Sequence, residues 1–101
     1  MMTVTTPEFQ SWYAKVVAMQ TEYMTKTFPS LQIPKMEIKD GGRYIRIFKD
    51  SSAHVFIDKT NGDVLKPATW AAPAKHARGN LFDASNGMGW MGPYGPAYLR
   101  G

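Results

Sequence analysis

Apolar residues recur along this chain with two different periods. From Phe9 to Met24 they fall at Phe9, Trp12, Tyr13, Val16, Val17, Met19, Tyr23 and Met24, mostly three or four apart, the spacing of one helix face. Lys15, Gln20, Glu22 and Lys26 take the other side. Thr5-Thr6-Pro7-Glu8 is a start signal: Thr6 suits the cap and Pro7 the first helical position, with Thr5 and Glu8 as an alternative capping box. Pro29 ends the element, because the residue before a proline is pushed out of the α region. The pattern predicts a helix over about residues 7–26.

Beyond Pro34 the period changes to two. Apolar-rich runs at Arg43–Lys49 and Ala53–Asp58 are separated by Asp50-Ser51-Ser52, and Thr60-Asn61-Gly62-Asp63 follows the second. Asn-Gly is the strongest short hairpin signal, since a type I′ turn needs positive φ at both central residues. Asp40-Gly41-Gly42 is a similar signal and makes Lys35–Lys39 a further strand. Val64-Leu65 is a last short one, stopped by Pro67. These segments predict a β-meander of three to four antiparallel strands over about residues 35–66. Alternation divides its side chains into an aliphatic core face (Met36, Ile38, Ile45, Ile47, Val55, Ile57) and a second face of Tyr44, Arg46, Phe48, His54 and Phe56. Leu31 and Ile33, between Pro29 and Pro34, are expected to tuck under the sheet edge.

The segment 68–80 is alanine-rich, with Pro73 suited to a first helical turn and Gly79 to a left-handed cap, so a basic turn or short helix is expected over about 70–78. Lys75, His76 and Arg78 would then complement the dipole of its carboxyl end. Trp70 is expected to anchor the segment by burying its ring. From Gly79 to Gly101 there are six glycines and two prolines among 23 residues, interleaved with Phe82, Trp90, Tyr94 and Tyr98. That is too aromatic for a flexible linker and predicts an irregular tail that packs on its own domain or reaches a neighbouring subunit. The whole chain reads as a single α+β domain spanning residues 1–101.

Composition narrows the classes. With 101 residues, 44% of them hydrophobic and 20% charged, the chain is long enough for one modest core and too apolar for disorder. No cysteine is present, which removes disulfides and thiolate metal sites. The start has no basic n-region or apolar h-region, and no apolar run approaches about 18 residues, so neither export nor membrane insertion is expected and the cytoplasm is the expected location. The net charge of +4 is localised: Pro34 to Arg78 holds nine basic and five acidic residues, while Lys15, Lys26 and Arg100 are cancelled by Glu8, Glu22 and Asp83.

Catalytic signatures are missing. His54 and His76 have neither cysteines nor a metal-ligand spacing, and there is no P-loop, nucleophile elbow or dinucleotide fingerprint, so no cofactor, no metal and no enzymatic activity are expected. The candidates for anion or nucleic-acid binding are Tyr44, Arg46, Phe48 and Phe56 on the second sheet face, and Lys66, Lys75, His76 and Arg78 after it. Aromatics beside basic residues on a sheet are how single-strand-binding modules stack bases and track phosphates. The competing expectation is that this face is covered by the aromatic tail or by another subunit.

The block from Phe56 through Trp70 (FIDKTNGDVLKPATW), followed by Ala72–Asn80 (APAKHARGN), resembles a segment of small uncharacterised proteins encoded by bacteriophages and marine viruses. The resemblance covers about a quarter of the chain and implies a virus-encoded protein acting in the host cytoplasm; it transfers no activity. Two functions are expected from the residues. The first is a non-enzymatic binding or assembly module, homodimeric or larger, made from the excess of apolar surface. The alternative is a single-stranded nucleic-acid-binding protein using the aromatic and basic sheet face. An acidic protein is a further partner for the basic segment.

Overall fold

The computed structural model describes residues 2–69, 71–89, 91–92 and 95–96. Helix α1 spans Pro7–Thr27. It begins where proline suits the first turn, although Thr6, the cap residue, makes no side-chain cap bond; its Oγ1 accepts a hydrogen bond from the Thr3 amide at 2.9 Å. It ends at Phe28, whose amide bonds the Met24 carbonyl just before Pro29.

Five strands follow in chain order: β1 (Met36–Asp40), β2 (Tyr44–Lys49), β3 (Ser52–Asp58), β4 (Asp63–Pro67) and β5 (Pro73–Asn80). Each pairs antiparallel with the next, so the sheet order is the sequence order. This is an α+β fold of one helix on a meander, with one strand more than the pattern predicts. The helix or turn expected over about 70–78 is replaced by β5. Alanine's helical preference amounts to tenths of a kcal/mol per residue, and a helix so short is marginal in water. Pairing instead closes the outer edge of β4 beside the buried Val64 and Leu65. The reversal lies earlier, where the amides of Ala68 and Thr69 both donate to the Ala72 carbonyl. The dipole argument for Lys75, His76 and Arg78 therefore falls, because no helix end exists there.

The turns are also distributed differently from their sequence signals. In the β2–β3 hairpin both central residues, Asp50 and Ser51, have positive φ (49° and 70°), the requirement of a type I′ turn. In the β3–β4 loop only Gly62 is left-handed, at φ 82°. Thr60 is tied instead to Asp58, through its amide at 2.9 Å and its hydroxyl at 2.6 Å.

The core lies between α1 and one sheet face. Phe9, Trp12 and Val16 pack on Ile45, Ile47, Val55, Ile57 and Val64, with Met2 and Leu81 closing the ends. Gln20 is buried too, at 2% exposure, against the expectation that it faces out. Two aliphatic positions depart from the reading: Met36 only flanks the core and Ile38 is 37% exposed. Both sit on β1, the edge strand of the sheet. Leu31 (58% exposed) and Ile33 (48%) likewise do not tuck under the sheet. After β5, residues 81–89 run through turns beside α1, and the two-residue strands β6 (Met91–Gly92) and β7 (Gly95–Pro96) pair with each other. Trp70, Trp90, Tyr94 and Tyr98, from which anchoring or covering contacts were expected, lie outside the described residues; Phe82 is 54% exposed. Among the described residues no helix is long and apolar enough to cross a membrane.

Candidate functional site

The second face of the sheet is not an open aromatic platform. Phe56 and Phe48 are buried, at 1% and 3% exposure. A β-irregularity at Ile47/Phe48 shifts the register there, so Phe48 pairs with Ala53 rather than His54. Lys39 and Arg46 lie over the Phe48 ring, at 5.2 and 5.7 Å from its centroid, capping it with cations whose stems cover apolar surface. Tyr44 is the half-buried aromatic of this face, its ring meeting the edge of Phe56 at 5.9 Å.

A cleft of about 290 Å³ opens beside Tyr44. The Gly41-Gly42 turn between β1 and β2 forms one wall, Arg43, Tyr44 and Arg46 the second, and Ala71 of the β4–β5 turn the third, with Phe56 at the base. The sequence places these groups simply: the turn delivers Arg43 to the start of β2, and alternation returns Arg46 to the same side as Tyr44. The Arg43 guanidinium lies 5.2 Å from the Tyr44 ring centroid and donates to Asp58 Oδ2 at 3.1 Å. Its side chain remains 63% exposed, while that of Asp58 is 5% exposed. Burial raises the Asp58 pKa, but hydrogen bonds from the Thr60 hydroxyl and amide and from Arg43 outweigh it and hold the carboxyl below its ordinary value. Lys59 braces the turn, its Nζ reaching Asp40 Oδ1 at 2.7 Å and the Gly41 carbonyl at 3.0 Å. Around the cleft the charges of Arg43, Arg46 and Lys59 exceed those of Asp40 and Asp58 by one.

The eight predicted residues divide into two groups. Tyr44, Arg46 and Phe56 meet at the cleft, with Phe48 next to it. Lys66, Lys75, His76 and Arg78 belong to β4 and β5. At about 4.8 Å per strand, β5 lies roughly 14 Å from β2 across the sheet. Lys75 and His76 are exposed, whereas Arg78 is buried at 8% exposure and turns its guanidinium back to the His76 carbonyl. The basic segment is therefore not presented as one cluster. Arg43 is the cleft residue that pattern reading passed over; its only signal is its position immediately after Gly-Gly and before the aromatic.

A second and larger groove, about 460 Å³, runs between the start of α1 (Pro7, Glu8, Ser11) and the loop of Phe82, Asp83 and Asn86. Of its two carboxylates, that of Asp83 is occupied internally. Asp83 Oδ1 accepts from the amides of Gly87 and Ser85 and from the Ser85 hydroxyl, at 2.9–3.0 Å, and Oδ2 from the Asn80 amide at 3.1 Å. These bonds draw the Asp83 pKa down and make it a loop-builder. Among the described residues no group of His, Cys, Asp and Glu has the arrangement of a metal site.

No curated protein and no solved structure matches this chain. A model of a family of unknown function, DUF7717, matches residues 6–95, from the helix cap through the sheet to β7, and the chain therefore belongs to that family.

Proposed function

We propose that this protein is a non-catalytic binding module that takes a phosphate-bearing ligand, with single-stranded nucleic acid as the class, in the cleft beside Tyr44. The observation that carries this reading is the pairing of two guanidinium groups, Arg43 and Arg46, with a half-exposed tyrosine ring against a glycine turn. Arginine's planar fork suits phosphate, and a tyrosine face stacks a base without regard to sequence. With Phe48 and Phe56 buried, one ring is available rather than a row of them, so a short footprint of one or two nucleotides is proposed. A virus-encoded protein in a host cytoplasm is part of the same reading, supported by the resemblance of the 56–80 block.

The test is fluorescence anisotropy with a labelled oligothymidylate over a salt series. Two phosphate contacts give a slope of log affinity against log salt near about −1.4, at roughly −0.7 per phosphate for a single strand. Arg43→Gln with Arg46→Gln should flatten the slope, and Tyr44→Ala should weaken binding by about 1–3 kcal/mol. No binding at low salt, or binding indifferent to all three changes, refutes it.

A further inference from the structure

We infer that β1 is a self-complementary docking edge, through which two copies of this chain pair antiparallel about Ile38 into one continuous sheet. Among the described residues no strand pairs with the outer side of β1. From Glu37 to Asp40 the strand is exposed.

The backbone decides which groups face outward. The Lys35 carbonyl accepts from the Asp50 amide, and the Gly41 amide donates to the Tyr44 carbonyl, so both residues turn their polar groups toward β2. Strand alternation carries Glu37 and Lys39 the same way and leaves the amides and carbonyls of Met36, Ile38 and Asp40 pointing outward. In an antiparallel pair centred on Ile38, Ile38 meets Ile38 of the second copy, and Met36 meets its Asp40. All of these are outward-facing residues, so each pair exchanges two hydrogen bonds. No residue from 36 to 40 is a proline, and Pro34 ends the match on one side.

The side chains agree with that register. Ile38 pairs within the chain with Ile47, which puts it on the helix face, where the two exposed Ile38 side chains cover each other. On the opposite face Glu37 falls against Lys39 of the second copy, and Lys39 against its Glu37. These are non-hydrogen-bonded pairs, whose Cα atoms approach to about 4.5 Å. Edge charges ordinarily protect a strand by repelling a second one. Here the residues that face each other across the pair, Glu37 and Lys39, carry opposite signs, so the strand attracts its own copy. The other edge behaves differently: β5 carries Lys75, His76 and Arg78 with no acid, begins at Pro73 and is irregular against β4. Exposed Phe28, Leu31 and Ile33 lie between α1 and β1. Five paired residues make a small interface, in the class below about 1,200 Å² that associates weakly.

Sedimentation velocity of the full chain, carried to about 0.5 mM, tests this. A monomer–dimer equilibrium is expected. Glu37→Lys and Lys39→Glu should each abolish it, because each places like charges opposite one another. The double variant should restore it, and mixing the two single variants should produce a heterodimer that neither forms alone. Ile38→Pro should also leave a folded monomer, since the amide it removes points away from β2; circular dichroism confirms the fold. A monomer at every concentration, or a dimer unaffected by Ile38→Pro and by the charge exchange, overturns the inference.

Discussion

The ring of Phe56 meets Tyr44 edge-on, at 5.9 Å between centroids and 77° between planes, and the pair stands at the boundary between core and surface. Phe56 is 1% exposed, so it supports the ring beside it and offers no face to a ligand. Truncating the two should therefore have opposite signatures. Phe56→Ala is expected to lower stability by about 3–5 kcal/mol. Tyr44→Ala is expected to lower it by only about 1 kcal/mol, the worth of a ring pair, while removing the proposed binding. Urea unfolding separates them; equal losses of stability would assign both rings to the core.

Acid should weaken the fold before any carboxylate of ordinary pKa titrates. Burial first, and then the positive charges of Lys49 and Lys66, push His54 from 6.5 down to about 4. The unfolded chain takes up this proton near pH 6.5 and the folded chain only near pH 4. The contribution of neutral His54 is thus fully present above pH 6.5 and is lost as the pH falls toward 4. At 1.36 kcal/mol per pH unit the loss is about 3 kcal/mol. Asp58, with its lowered pKa, adds a further loss at lower pH. Denaturation across this range should show the slope, and His54→Leu should remove most of it between pH 6.5 and 4.

Gln20 is a defect that can be repaired. Its Nε2 and Oε1 are buried and make no hydrogen bond among the described residues. Desolvating an amide without compensation costs about 1–3 kcal/mol. Gln20→Met keeps the length and removes the polar atoms, so the melting temperature should rise, with a gain of about 1–2 kcal/mol. A loss of stability would mean that the amide is satisfied, for instance by an internal water.

Gly62 carries the β3–β4 turn. Its φ is 82°, and a Cβ built there would come within 2.6 Å of the Phe82 ring. Since Phe82 is 54% exposed and free to swing outward, the backbone term dominates. Gly62→Ala should lower stability by about 1–2 kcal/mol, and Phe82→Ala in the same background should recover little of it.

The helix was legible from Thr5 to Pro29 because its start and stop are local: proline chemistry acts on the backbone next to it, whatever the rest of the chain does. The strands β2 and β3 were legible for a similar reason, since β-branched and aromatic alternation points to a half-buried sheet with Ile45, Ile47, Val55 and Ile57 on its inner face. The candidate site was legible in part. Tyr44, Arg46 and Phe56 do share one face and meet at the cleft, whereas Arg43 enters only because a turn swings it across.

What remained was decided by packing between distant segments. Nothing within Pro73–Asn80 asks for a strand; β4 does, because its free edge is satisfied when that segment pairs with it. Gln20 stands four residues after Val16 and eight after Trp12, on the buried face of α1, so its spacing marked it for burial and only its polarity pointed the other way. Phe48 and Phe56 occupy the positions of stacking residues, but Lys39 and Arg46 lie over Phe48, and Phe56 is buried beneath the Tyr44 cleft. Ile38 has the pattern of a core residue and stands at the edge because β1 is the outermost strand. Periodicity gives each residue a side of its own element. Which sides are covered depends on what arrives from elsewhere in the chain, and that is a property of the tertiary structure alone.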